Sequence, residues 1–234
     1  MAPLIPPAGT LADGPTVAIA TQGCKLNQAD SEVLASDLLR AGFRLVGRNE
    51  PADVYVVNTC TVTHIADRKA RHALRSARRR NPNATIVATG CYVQRSPQAL
   101  KSLAEVDVAI TNTEKAGLVQ RLLKLRGEPP PPRGLGAGSL TLGSKITRTR
   151  AMIKIQEGCD QVCAYCIVPK VRGRERSIPA EEIVGRIDEH VSRGYKEVVL
   201  TGTQLGTYGF DLAGIDLAGL LERILSETKL RRLR

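Results

Sequence analysis

Short apolar runs and amphipathic stretches alternate along most of the chain, and that rhythm limits the possible folds more than any other feature. The runs 16–21 (TVAIAT), 53–59 (DVYVVNT), 84–89 (ATIVAT) and 106–111 (VDVAIT) read as buried strands. Helical periodicity fills 30–41, about 65–80, a stretch after Pro97 and about 114–126, with stops at Gly42 and Asn81-Pro82. Strands that alternate with helices need crossover connections, so the expected class is α/β with a parallel sheet. The pattern breaks over 127–149, where Pro and Gly crowd together, and this reads as a linker. It resumes with a short strand at 151–155, helix 180–193, strand 197–201 and helix 217–225; the terminal LRRLR is able to open another strand. The expected organisation is a disordered tail over 1–15, a first domain over 16–126, the linker, and a second domain over 150–234.

Composition narrows the setting. A chain of 234 residues with 42% hydrophobic content can bury a core. No run approaches the ~18 apolar residues of a membrane span, and the start lacks the basic and apolar regions of a secretory signal. Six cysteines without such a signal point to a reducing cytoplasm and to ligands rather than disulfides. The net charge of +11 favours a polyanionic partner over a merely solvated basic surface. Aromatics at 3%, with no Trp, argue against a base-stacking platform. Seven Lys and Arg residues between Arg68 and Arg80 fit a solvated helix face or an RNA-facing stripe equally well. His64, His72 and His190 are scattered and suggest no metal site.

Chemistry concentrates in the cysteines. Cys159, Cys163 and Cys166 are spaced CxxxCxxC within KIQEGCDQVCAYC. Three thiolates on one tight loop suit three irons of a 4Fe–4S cube and leave the fourth iron open; zinc or free structural cysteines are the alternatives. Cys24, Cys60 and Cys91 each follow a predicted strand. In a parallel sheet those strand ends share the carboxyl edge, where ligands bind. They read as a second three-thiolate cluster, or else as small buried hydrophobes.

The CxxxCxxC segment, with Tyr165 before its last cysteine, resembles the radical S-adenosylmethionine (SAM) enzymes, and TQGCKLNQADSE, VVNTCTVTHIADRKAR and ATGCYVQ resemble the N-terminal domain of the methylthiotransferases. The resemblance covers roughly 16–126 and 150–234. It implies a parallel-sheet methylthiotransferase domain followed by the first βα units of a radical SAM partial TIM-type barrel. It also implies two 4Fe–4S clusters and SAM, with Cys159, Cys163 and Cys166 holding the radical cluster and Cys24, Cys60 and Cys91 an auxiliary one. In this family SAM is cleaved to a 5′-deoxyadenosyl radical, and sulfur is delivered to carbon 2 of an adenosine beside the anticodon of tRNA. An electron donor such as a flavodoxin or ferredoxin is implied as a partner. GCKLNQ and NTCTVTHIADRKAR are most similar to the threonylcarbamoyladenosine branch; isopentenyladenosine tRNA and a ribosomal protein are the substrates of the other branches.

Further site residues follow from the same resemblance. The backbone of Tyr165, and Gly202, Thr203 and Gln204 after the second-domain strand, would contact SAM. Arg172, Arg174 and Arg176 in RGRERS are candidates for phosphate or carboxylate contacts. Ile178 stands where the family commonly carries another Arg. The chain stops at Arg234, before the remaining barrel strands and the RNA-binding β-domain, so a truncated, non-catalytic cluster- or RNA-binding remnant is the alternative expectation.

Overall fold

The computed structural model describes residues 14–127, 150–161 and 163–234. They fall into two compact units, residues 14–22 with 33–127, and residues 23–32 with those from 150 onward. The expected tail lies almost wholly outside the described residues, as does the expected linker.

The first unit is built on a parallel sheet. Its strands are β1 (Thr16–Thr21), β2 (Arg44–Val46), β3 (Val54–Thr59), β4 (Thr85–Gly90) and β5 (Val108–Ile110), in the order β2-β1-β3-β4-β5. Register places Val17 beside Val54, Val56 beside Val87, and Val87 beside Val108. Every residue of β3 is buried, as a central strand covered on both faces requires. Its alternate side chains feed two cores. Tyr55 and Val57 join Leu74, Ile86 and Leu100 on one face; Val54 and Val56 join Leu38, Leu118 and Leu122 on the other.

The helices are α2 (His64–Arg80), α3 (Cys91–Arg95), α4 (Pro97–Lys101) and α5 (Leu118–Arg126), with α1 (Lys25–Arg40) divided, its residues 25–32 grouping with the second unit. Thr63 caps α2, its hydroxyl accepting the Ala66 N–H at 3.1 Å. Gly127, at φ 69°, ends α5 in the left-handed conformation. The strand order, with a reversal between β1 and β3, is that of doubly wound sheets with a ligand crevice at the carboxyl edge.

The second unit has three parallel strands, β6 (Arg150–Lys154), β9 (Glu197–Thr201) and β10 (Arg232–Leu233), with β9 in the middle. Between β6 and β9 run β7 (Gln156–Glu157), α6 (Val168–Arg172), β8 (Arg176–Ser177) and α7 (Ala180–Ser192); α8 (Leu217–Glu227) precedes β10. Ile153, Ile183, Ile187, Leu200, Tyr208 and Leu220 form its core. Among the described residues no helix is long and apolar enough to cross a membrane.

Candidate active site

The CxxxCxxC loop is an excursion pinched at its base. Strands β7 and β8 pair antiparallel, with Gln156 opposite Ser177 and Glu157 opposite Arg176. One step further in, the Cys159 N–H donates to the Gly173 carbonyl at 3.2 Å. Gly158, at φ 80°, sits where a Cβ would run into the Arg174 carbonyl and lie 2.7 Å from the Gly173 oxygen. Gly158→Ala is therefore expected to cost about 2–3 kcal/mol, seen as a fall of roughly 4–12 °C in the unfolding midpoint. An unchanged midpoint would show that the pinch is not structural.

Gln156 ties this loop to the end of β9. Its side chain is fully buried. Its Oε1 accepts the Thr203 and Gln204 N–H groups at 2.9 and 3.0 Å, and its Nε2 donates to the Gly158 carbonyl at 3.0 Å. Candidate SAM contacts and the glycine before the first cysteine of the motif are thus held by one amide. The Thr203 hydroxyl is buried and has no hydrogen-bond partner among the described residues, a place that a polar ligand would satisfy. Gln204 and Tyr165 are exposed.

The three arginines after the motif have different fates. Arg172 is not available to a ligand: its side chain is 3% exposed and fully engaged. It reaches Asp30 Oδ2 at 2.8 Å and Glu157 Oε1 at 2.6 Å, and it also donates to Asn27 Oδ1. Lys154 Nζ completes the cluster at 2.8 Å from Asp30 and 2.9 Å from Glu157. Two cations thus face two carboxylates. Burial opposes ionisation, yet the paired charges win: Lys154 is held above its ordinary pKa and Glu157 below its own. Arg174 is exposed and forks onto Asp160 of the cysteine loop at 3.1 and 3.3 Å. Arg176 is also exposed, 4.0 Å from Glu157.

In the first unit, Cys60 directly follows β3 and Cys91 directly follows β4, with Thr59 paired to Gly90. Both cysteines are 6% exposed. Gly90, at φ 97°, turns the chain here, where a Cβ would lie 2.6 Å from the Asn58 Oδ1 and Thr59 N atoms. Cys24 is exposed and lies among the residues that group with the second unit. No disulfide joins any of the six cysteines. Among the described residues, no three His, Cys, Asp or Glu side chains form a group able to hold a metal. In kind, the donors suit iron–sulfur ligation.

Sequence reasoning missed Gln156, Asn27, Asp30, Lys154 and Glu157. Their only trace was polar residues embedded in a strand and at a helix start.

Residues 16–111 match the uncharacterized protein family UPF0004, and residues 153–232 match the radical SAM superfamily. A threonylcarbamoyladenosine tRNA methylthiotransferase, MtaB of Aquifex aeolicus, is 40% identical over 220 residues, covering 89% of this chain and 52% of that protein. The Bacillus subtilis protein of the same name is 38% identical, covering 89% and 48%. The tRNA-2-methylthio-N6-dimethylallyladenosine synthase of Moorella thermoacetica is 36% identical, covering 94% and 52%. The chain spans about half the length of the curated relatives it matches. Among solved structures, the radical SAM methyltransferase TsrM of Kitasatospora setae superposes with a TM-score of 0.60 at 14% identity, covering 91% of this chain and 51% of that one, a likeness of fold alone. With a UPF0004 segment and a radical SAM segment in succession, and with methylthiotransferases as relatives of both, the chain belongs to the radical SAM methylthiotransferase family.

Proposed function

We propose that this chain carries the cluster-binding part of a tRNA methylthiotransferase that acts on carbon 2 of threonylcarbamoyladenosine. The observation that carries the reading is the match at 40% identity to a protein of that name, against 36% for a dimethylallyladenosine enzyme. Cys159, Cys163 and Cys166 would hold three irons of one 4Fe–4S cluster, and Cys24, Cys60 and Cys91 those of a second. When bound, cluster and SAM together supply a one-electron cleavage of the sulfonium.

The chain's own residues position that chemistry. Gln156 fixes the Thr203 and Gln204 backbone against the base of the cysteine loop. Gly202, Thr203 and Gln204 would meet the amino group of SAM, with the buried, unpartnered Thr203 hydroxyl oxygen as an acceptor for its N–H. The Tyr165 backbone would lie near the adenine. Arg174 and Arg176 are the exposed arginines left for substrate phosphate. The reading includes a flavodoxin or ferredoxin as electron donor and a cytoplasmic location.

Anaerobic reconstitution tests the ligand sets. About eight iron atoms per chain are expected if both cubes load. About four would leave one triad structural, and tightly held zinc without iron would overturn the assignment. Mass analysis of tRNA nucleosides from a deletion strain tests the substrate, with loss of methylthio-threonylcarbamoyladenosine expected. Loss of a ribosomal methylthio-aspartate instead would move the chain to another branch.

A further inference from the structure

The basic residues of α2 are not one solvated face. Arg71 donates to the Tyr92 hydroxyl at 2.6 Å, Arg75 pairs with Glu105 at 3.4 Å, and Arg78 bonds Asp107 at 2.7 Å and the Pro82 and Ala84 carbonyls. These three bind the helix to its own domain. Arg68, Lys69, His72 and Arg80 point instead into a cleft of about 640 Å³, which Arg48 closes from the turn after β2.

All five are exposed, and no acidic residue lines the cleft. The Arg68 and Lys69 side chains have no hydrogen bond or ion pair among the described residues; that of Arg80 reaches only the Arg48 carbonyl and the Asn49 amide oxygen, at 3.3 Å. An ordinary solvated helix face intersperses acids among its bases. Here four permanent cations converge on a concave surface with nothing to neutralise them.

We infer that this cleft is a phosphate-backbone site for RNA on the first unit, separate from the arginines that follow the cysteine loop. Arg68 to Arg80 spans about 18 Å of helix, enough to face several phosphates of one strand. Stacking on bases is not what the cleft offers. Among the described residues it is lined by no Phe or Trp, and its Tyr55 is 3% exposed and tied by its hydroxyl to the Glu50 carbonyl at 2.8 Å. The contact is therefore positional rather than sequence-reading. The inference rests on the proposed tRNA substrate only in the choice of polyanion.

The test is binding of the 234-residue chain to a tRNA transcript and to an unrelated RNA duplex, by anisotropy over a salt series. Arg68→Gln with Lys69→Gln should weaken both about tenfold at roughly 0.1 M salt and flatten the salt slope by about 1.5. Arg48→Gln, on a different element, should act in the same direction. Arg121→Gln with Lys124→Gln on α5 removes the same charge from the opposite face of the sheet and should change affinity much less. Equal losses from the two double variants would reduce the effect to net charge and overturn the site. So would no binding by the unaltered chain, or a larger loss on anionic lipid vesicles than on RNA. If both RNAs lose affinity while no tRNA nucleoside changes in the deletion strain, the cleft stands and the substrate proposal falls.

Discussion

Cys163→Ala and Cys60→Ala are each expected to lower reconstituted iron from about eight to about four per chain, yet only Cys163→Ala should abolish the spectroscopic response of the reduced protein to SAM. The argument is one of placement. Cys163 belongs to the loop pinched between Gly158 and Gly173, and Gln156 holds that loop against the Thr203–Gln204 backbone. Whatever binds at the end of β9 is addressed by this loop. Cys60 follows β3 in the other compact unit. On the proposed assignment its loss removes an auxiliary-cluster ligand and leaves the residues proposed to meet SAM unaltered. Iron content and the paramagnetic signal with and without SAM are read from the same sample. A Cys60→Ala protein that keeps its fold but no longer responds to SAM would refute the division of labour. Cys163→Ala retaining the response would refute the ligand assignment itself.

The sequence disclosed the parts of the fold that rest on apolar patterning. TVAIAT and EVVLT became strands with the expected bounds, and VYVVNT became the strand buried along its whole length. Three of the shortest elements, β2, β7 and β8, were invisible. β2 is a three-residue edge strand, and β7 and β8 are two residues each, too short for any period to show. The helix expected from Asp30 begins at Lys25. Its first turns bury Asn27 and Asp30, polar residues that an amphipathic pattern assigns to solvent. Those residues are buried because they serve an ionic cluster whose other members lie more than a hundred positions away, and no local window contains that information.

The same reason separates the cysteines from Arg172. A CxxxCxxC spacing carries its chemistry within eight residues, so the loop was legible. RGRERS presents three arginines with identical forks, and nothing local says whether the partner is a phosphate or a carboxylate of the same chain. The first proved buried and the other two exposed. The basic run on α2 divided likewise. Residues three or four apart fell on the packed side or the cleft side according to neighbours that sequence spacing alone does not name.

Arg172→Met is expected to destabilise the second unit by about 3–5 kcal/mol, the cost of leaving a buried carboxylate without its partner. The cluster is balanced as it stands, with Arg172 and Lys154 facing Asp30 and Glu157. Removing the guanidinium leaves Lys154 as the one buried-side cation for two carboxylates, with only the exposed Arg176 at 4.0 Å from Glu157 to help, in a site where Asp30 is 4% exposed. Arg172→Lys should recover only part of the loss, since an ammonium cannot reach Asp30, Glu157 and Asn27 with one planar fork. Adding Asp30→Leu to Arg172→Met restores the balance, because Lys154 and Glu157 remain a pair at 2.9 Å. The double variant should therefore be more stable than Arg172→Met alone, an inversion that simple loss of contacts does not produce. Arg174→Met, removing an exposed partner of Asp160, serves as the control and should leave the denaturation midpoint unchanged. Urea unfolding of the four variants beside the unaltered chain measures all of this. Strictly additive losses in the double variant would show that Arg172 contributes packing rather than charge balance, and the cluster would then not be the clamp on the segment that follows the cysteine loop.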